Sequence, residues 1–254
     1  MQVAKTVYSV ARFPKARILF SANDAAYVEE TYAHFSKGLE VAAAYFGPGE
    51  LLPFFTVYLA PEREEYDFLV SHLTTVPTGK GRLGQPQGSE LYLLSPGAYS
   101  RDALAAYLGP DGKYDKVFYH DVIAHEVVHM MEEYFSPRGA MEVLPKWWQE
   151  GLAVYLSGQY EKDVSLRKYM LADFSKGGVP AIGDLRGGSS YVWGWSIVQF
   201  IEKWFGKEKI REIVRNSMTI DVEKSLGMEP ARFEREWRDF AAGCLNGEPG
   251  RARP

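Results

Sequence analysis

The sequence predicts an α+β fold in which a small mixed lobe of strands and helices, residues 1–112, precedes a helical lobe, residues 113–245. Runs of aromatic and β-branched residues bounded by turn residues lie in the first hundred residues, and after Arg101 helical patterns alternate with glycine and proline breaks. A length of 254 residues, 46% of them hydrophobic, favours a single catalytic-size domain over residues 1–245. The polar ending NGEPGRARP, residues 246–254, is predicted to be a flexible tail.

The elements of the first lobe follow from spacing and turn residues. Apolar residues at helical spacing predict an amphipathic helix over 25–46, which Gly47-Pro48-Gly49 ends. LLPFFTVYLAP, residues 51–61, predicts a strand, and a short helix follows over 62–73. The stretch 74–88, with four glycines and two prolines, predicts a loop, and ELYLLSP, residues 90–96, predicts another strand.

The second lobe shows helical patterns separated by breaker residues. The same periodicity of apolar residues that indicates a helix over 25–46 recurs through this part of the chain. The sequence contains no internal repeat. Predicted helices cover residues 101–108, 115–135, 145–157, 190–205, 207–216 and 229–242.

Charge and cysteine usage exclude several classes of protein. The formal net charge is −4, and no run of Lys or Arg forms the basic stripe that a nucleic acid backbone would need. Cys244 is the one cysteine, so an internal disulfide and any site built from several thiolates are excluded. A metal site in this chain would therefore use histidine and carboxylate ligands.

The lengths of the apolar runs indicate whether the chain can span a membrane or carry a signal peptide. We find no uninterrupted apolar run of membrane-spanning length, so membrane insertion is not expected. The beginning, MQVAKTVYSVARFPKARILF, lacks the apolar core and cleavage site of a signal peptide. The expectation is a soluble, cytoplasmic protein on the chain as given, or a secreted one if a signal peptide was trimmed.

The motif with the most chemical content is HEVVH, residues 125–129. Positions four apart lie on one face of a helix, so His125 and His129 can bind one metal ion while Glu126 lies beside them. This arrangement suits zinc, which lowers the pKa of a bound water to about 7, and the glutamate can accept the water's proton as it attacks a carbonyl. The residues predict a zinc site with Glu126 as general base.

The alternative is a helix that contains this string by chance. The flanking residues argue against it, because they predict a buried helix, in which unpaired histidine and glutamate are costly. The apolar flanking residues are Val117, Phe118, Val122, Ile123, Val127, Val128, Met130 and Met131.

A catalytic zinc needs a third protein ligand from another element. No histidine follows His129, so this ligand is expected to be a carboxylate. Glu150 is favoured, because LPKWWQEGLAVYLSG, residues 144–158, surrounds it with apolar residues and opens with Pro145 as a predicted first helical residue. The alternatives are Glu132, Glu133 and Glu142.

Two motifs together resemble a known family. HEVVH followed by WWQEGLAVY, residues 147–155, resembles the gluzincin metallopeptidases of the peptidase MA-like group, whose pattern is H-E-x-x-H and then W-x-x-E-G-x-A-x-Y. YVWGWSIVQFIEKWFGKEKIREIV, from Tyr191, is similar to the family's later helix. The resemblance implies a zincin-like, thermolysin-like catalytic fold and one zinc ion per chain. It implies zinc bound by His125, His129 and Glu150, with Glu126 as general base and proton shuttle.

The sequence also departs from the family. Val154 stands where thermolysin-like enzymes have an aspartate that supports a zinc-bound histidine, and Gln149 stands where an asparagine is common. Asp121 is a candidate for that support, with an exposed helix carboxylate as the alternative. GAME, residues 139–142, follows the zinc helix, whereas the similar aminopeptidase motif precedes it, which weakens an exopeptidase interpretation.

The oxyanion formed on a peptide carbonyl requires a second donor. Tyr191 is the predicted donor, at the start of a helix that Ser189 and Ser190 can cap; the alternative is a tyrosine packed in the core. Weaker candidates for the donor are His120, Tyr155 and Arg186.

Three features bear on substrate binding. Residues 90–96 are predicted to form a sheet edge to which an extended peptide can add. Residues 74–88 form either a lid or a solvated connection. Four tryptophans either line a pocket or pack in the core: Trp147, Trp148, Trp193 and Trp195.

The expected function is zinc-dependent hydrolysis of peptide bonds in a peptide or protein substrate, with the chain acting as an endopeptidase. One alternative is a catalytically silent zinc-binding or protein-interaction module with the same fold, although such a module would have no need of a base at Glu126. A second alternative is a non-enzymatic helical protein, which predicts no stoichiometric zinc. The sequence leaves the oligomeric state and the substrate side chain open.

Overall fold

The computed structural model describes residues 6–47, 49, 51–73, 78–79, 81–99, 101, 108–109, 112–137, 144–217 and 221–246. The chain divides into two compact units. One comprises Met1–Ala44 and Gly49–Met130, and the other comprises Tyr45–Pro48 and Met131–Pro254. The predicted helix over 101–108 lies almost wholly outside the described residues, as do the GAME segment and residues 247–254 of the predicted tail.

The first unit contains a five-stranded mixed sheet with the strand order β1-β2-β3-β5-β4. Strands β2 and β3 are parallel, as are β3 and β5, whereas the outer pairs β1-β2 and β4-β5 are antiparallel. The predicted α+β class is confirmed. The strands are β1 Ser9–Arg12, β2 Ala16–Phe20, β3 Phe55–Ala60, β4 Gly84–Gln87 and β5 Glu90–Leu94.

The centre of this sheet is formed by apolar residues. Strand β3, FTVYLA, is buried at five of its six positions, as expected for a central strand covered on both faces. The helices of this unit are α1 Val28–Phe46, which follows a 3₁₀ turn at Ala22–Tyr27, then α2 Arg63–Val70, α3 Pro96–Tyr99 and most of α4 Lys116–Phe135. A Cβ at Gly38 of α1 would lie 3.1 Å from Cα of Ala124, so α1 and α4 are packed closely.

The second unit is helical among its described residues. It contains the last turn of α4 and the described helices that follow it along the chain. Its helices after α4 are α5 Lys146–Ser157, α6 Gln159–Lys162, α7 Val164–Gly177, α8 Gly188–Phe205, α9 Lys207–Asn216, α10 Val222–Ser225 and α11 Pro230–Leu245, with a 3₁₀ turn at Ile182–Asp184.

Two predictions about the sheet were wrong. Residues 90–96 are not an edge, because β5 lies between β3 and β4. The predicted loop 74–88 contains β4, a strand that pairs with β5 from Gly84↔Leu93 to Gln87↔Glu90. Residues 84–87 are therefore not a lid. The structure describes no helix long and apolar enough to cross a membrane.

A pair of histidines joins α1 to α4. Nδ1 of His34 lies 3.2 Å from Nδ1 of His120, and Nε2 of His34 lies 3.6 Å from a carboxylate oxygen of Glu30. Burial lowers the pKa of His34, and the positive charges of Lys116 and Lys37 act in the same direction, while Glu30 opposes them. The imidazole is therefore harder to protonate in the folded chain than in the unfolded chain.

This shift predicts that stability falls on mild acidification. The unfolded chain binds the proton of this histidine at about pH 6.5 and the folded chain binds it only at lower pH, so the free energy of unfolding decreases as the pH falls through that window. Urea unfolding between pH 7.5 and 5.5 measures the effect. The variant His34→Gln should have a flatter profile over this range, and an unchanged profile would contradict the assignment.

Candidate metal centre

Helix α4 places the two motif histidines on one face. Nε2 of His125 lies 3.2 Å from Nε2 of His129, and the two ring planes are inclined at 81°. Two nitrogen ligands of a tetrahedral zinc, each about 2.0–2.1 Å from the ion, are about 3.3 Å apart. The two imidazoles therefore have the separation that one zinc ion requires.

Glu150 on α5 completes a group of three potential ligands. One ligand atom from each of His125, His129 and Glu150 lies within 4.8 Å of the other two. Glu150 is 4% exposed and His125 is 7% exposed, so two of the three side chains are removed from bulk water. Two histidines and one carboxylate are a donor set suited to catalytic zinc, because the fourth position of a tetrahedral ion is left for water or substrate.

Lys146 contacts the carboxylate of Glu150. Its Nζ lies 2.7 Å from Oε1 of Glu150, and the two residues are one turn apart on α5. The lysine side chain is 66% exposed, so it approaches the buried carboxylate from the solvent side. Pro145, which was predicted as the first helical residue, precedes the helix as its N-cap residue.

The alternative third ligands have other surroundings. Glu132 is fully buried, and its Oε1 accepts a 2.7 Å hydrogen bond from Nε1 of Trp148. This bond joins the end of α4 to the start of α5. Glu133 is exposed, and Glu142 lies outside the described residues. Among the residues that the structure describes, the group with metal-ligand spacing is the one that contains Glu150.

The position of α5 depends on two glycines. Gly151, next to Glu150, lies against Gly194 of α8, and a Cβ added to Gly151 would lie 2.6 Å from Cα of Gly194. A Cβ added to Gly194 would in turn collide with the carbonyl group of Trp147 and lie 3.0 Å from Cα of Gly151. The two helix backbones therefore touch. Gly151, the glycine of the W-x-x-E-G motif, allows this contact and so helps to position Glu150, the residue before it.

The predicted general base, Glu126, lies beside a strand that the sequence did not indicate. Its side chain is half-buried on α4. A Cβ built on Gly84 of β4 would lie 2.5 Å from Cγ of Glu126 and 2.9 Å from its Oε1. The backbone of β4 thus runs directly against the glutamate side chain. The glycine-rich composition of residues 79–88 was the one signal of such a close approach.

Tyr66 of α2 is a second residue that sequence analysis did not single out. It is fully buried, and its hydroxyl has no hydrogen-bond partner among the described residues. Burial raises the pKa of Tyr66, and the negative charge of Glu126 raises it further. Because the charge of Glu126 affects the pKa of Tyr66, this buried hydroxyl lies in the surroundings of the predicted base.

The predicted oxyanion donor, Tyr191, lies in the first turn of α8 with a half-buried side chain. Its catalytic role stays a prediction. The predicted serine cap is wrong: the N-cap residue is Gly187, at φ 50°, and no side chain caps the helix. The hydroxyl of Ser189 instead accepts a 2.8 Å hydrogen bond from the backbone N–H of Arg186.

The weaker donor candidates have structural partners. His120 contacts His34, and the guanidinium group of Arg186 donates to the carbonyl of Leu185. Burial raises the pKa of Tyr155, and the negative charge of Glu202 and a hydrogen bond to it raise the pKa further.

The two positions considered for support of the histidines, Asp121 and Val154, are both buried. Asp121, one turn before His125, is 3% exposed, so the alternative of an exposed helix carboxylate is wrong, while its role in orienting a histidine stays a prediction. Val154 is fully buried, and its backbone carbonyl accepts a 3.3 Å hydrogen bond from the hydroxyl of Ser157. The four tryptophans are all buried, which supports the packing interpretation: Trp147, Trp148, Trp193 and Trp195.

Of the residues predicted from sequence, the structure brings together His125, His129 and Glu150, with Glu126 next to the first of them on the same helix. The chain was also compared with protein-family models and with curated proteins. No family model matches it, and no curated protein matches it.

Proposed function

We propose that this chain is a zinc-dependent peptidase with a zincin-like catalytic fold. His125, His129 and Glu150 are the proposed zinc ligands, and Glu126 is the proposed general base. The observation that carries the proposal is the grouping of three ligand atoms within 4.8 Å, two of them on the helix turn that also holds a glutamate. The mixed sheet and the helical second unit support the coarser α+β class to which such a fold belongs.

The proposed chemistry divides among a few side chains. A bound zinc ion supplies a Lewis acid that lowers the pKa of water and polarises the peptide carbonyl. Glu126 accepts a proton from the attacking water and delivers it to the leaving nitrogen. Tyr191 is proposed to donate a hydrogen bond to the oxyanion, the role that the sequence predicts for it.

Peptide and protein substrates are proposed, with cleavage inside the chain. Strand β4 is an edge of the sheet and can bind an extended segment through its backbone, as edge strands do in many peptide complexes. Proline at position 86 has no N–H, so the edge offers fewer donors than an ordinary strand. A substrate of this kind needs no particular side chain at each position, which suits an endopeptidase.

Metal content is the first test of this proposal, because it does not require a known substrate. We expect about one zinc per chain in the purified wild type by mass spectrometry, and a loss of zinc in Glu150→Ala. The matched control is Glu133→Ala, which removes an exposed glutamate from α4 and should keep the metal. A wild type that binds no zinc after supplementation would contradict the proposal.

A peptide-library assay then separates the peptidase from a catalytically silent zinc-binding module. The proposal predicts cleavage that a chelator abolishes and that added zinc restores. A zinc-loaded wild type that cleaves no member of a broad library, nor denatured protein, would favour the silent module.

A further inference from the structure

We infer that Gly84 is a positioning residue, whose missing side chain allows the backbone of β4 to hold Glu126 in its reactive position. The inference rests on the proposed function and deepens it, because it assigns a role to a residue outside both sequence motifs. Gly84 and Glu126 are 42 positions apart in the chain and lie within the same compact unit.

The contact between the two residues leaves no room for a methyl group. An ideal Cβ on Gly84 would lie 2.5 Å from Cγ, 2.9 Å from Cδ and 2.9 Å from Oε1 of Glu126. Carbon atoms in van der Waals contact are about 3.5–4.0 Å apart. Three consecutive atoms of the glutamate side chain, including the carboxyl carbon, therefore lie where a side chain at position 84 would be.

Space, and not backbone conformation, requires glycine here. Gly84 lies in a strand and is not among the glycines with positive φ, so any L-residue could adopt its backbone angles. Gly84 is also buried, although it begins an edge strand. Glycine inside a strand commonly marks a close approach of another group, and here that group is the predicted base.

The glutamate, and not the strand, should yield to an added methyl group. Strand β4 is held by its pairing with β5, where Gly84 is opposite Leu93 and the N–H of Leu94 donates a 2.8 Å hydrogen bond to the carbonyl of Leu83. The side chain of Glu126 rotates about single bonds and is half-buried. The variant Gly84→Ala should therefore keep the fold and displace the carboxylate.

The first test compares Gly84→Ala with Gly79→Ala. Gly79 lies upstream in the same segment, has no atom within 4 Å of an added Cβ and has no positive φ, so it is a matched control. We expect kcat of Gly84→Ala to fall about 100-fold, the scale of a misplacement near 1 Å in an active site. KM and zinc stoichiometry should stay close to those of the wild type, and Gly79→Ala should be unchanged in all three.

A second measurement tests the contact without any turnover. Gly84→Ala should lower Tm by about 2–4 °C in the wild-type background. In a Glu126→Ala background the same substitution should cost little, because the side chain beyond Cβ is gone. This coupling is specific to the steric contact, and a general weakening of β4 would not produce it.

The outcomes separate this inference from the proposed function. A zinc-loaded, active wild type with an equally active Gly84→Ala variant would overturn the inference and leave the function standing. Equal Tm losses from Gly84→Ala in both backgrounds would overturn it as well. The Tm loss from Gly84→Ala could depend on Glu126 while the wild type binds no zinc. That result would support the contact and overturn the proposed function.

Discussion

Replacing Glu126 with glutamine should lower kcat by about 10²–10⁴-fold, the range that positioned general bases contribute. Glutamine has nearly the shape of glutamate, so the contact with β4 is retained. It cannot accept a proton from the attacking water, and it cannot return one to the leaving nitrogen. Steady-state kinetics on a peptide found in the library assay would measure the loss.

Zinc content separates this effect from loss of the metal. Glu126 is not a proposed ligand, so Glu126→Gln should keep about one zinc per chain. Glu133→Gln makes the same chemical change at an exposed position seven residues further along α4, and it should have wild-type kcat. A Glu126→Gln variant that keeps wild-type turnover would remove the base from the mechanism, whatever its zinc content.

The grouping of the three proposed ligands could be predicted from sequence in part because helical spacing places two of them together locally. His125 and His129 are one turn apart, and their Nε2 atoms lie 3.2 Å apart. Glu150 could be predicted because a carboxylate among buried apolar residues needs a cation, and it is grouped with both histidines. The contact between Gly84 and Glu126 could not be predicted. It joins α4 to β4, and β4 has no strand-like sequence.

The errors in the predicted fold have the same cause. Elements with a recognisable local pattern could be predicted, and elements without one could not. Strand β3 has the buried, β-branched sequence FTVYLA, and it was predicted from residues 51–61. Strand β4, GQPQ, contains no residue that favours strands, and its existence depends on backbone pairing with β5. Strand β1 is mostly exposed, so it lacks the alternation that would identify it. Helix α7 was missed because Met170 is its one buried residue.

Gly151, the motif glycine beside the proposed ligand Glu150, lies against Gly194, and an added methyl group at either position should have a large effect. Gly194→Ala should lower the free energy of unfolding by about 3 kcal/mol or more, at or beyond the upper end of the usual cost of overpacking. The added methyl group would meet the carbonyl of Trp147, which is backbone and cannot rotate away. Gly151→Ala should have a similar cost, because its methyl group would meet the backbone of Gly194. Urea unfolding measures both.

The expected loss of stability has the opposite sign to the change that helix propensity predicts. Alanine inside a helix is normally more stable than glycine by about 0.5–1 kcal/mol, so propensity alone predicts stabilisation at both positions. Gly183→Ala is the control, since an added Cβ there has no atom within 4 Å. A Gly194→Ala variant as stable as the wild type would show that α5 and α8 do not touch at these glycines.

Zinc affinity should fall together with stability in these variants. To accept a methyl group, α5 and α8 must move apart, and Glu150 precedes Gly151 on the moving helix. The histidines are on α4 and are not moved directly by the substitution. The three ligand atoms would then no longer share a 4.8 Å group, so a metal held in the wild type should be released at lower chelator concentration. Retained zinc affinity in a destabilised variant would instead mean that Glu150 is positioned by its contacts with Lys146 and the start of α5.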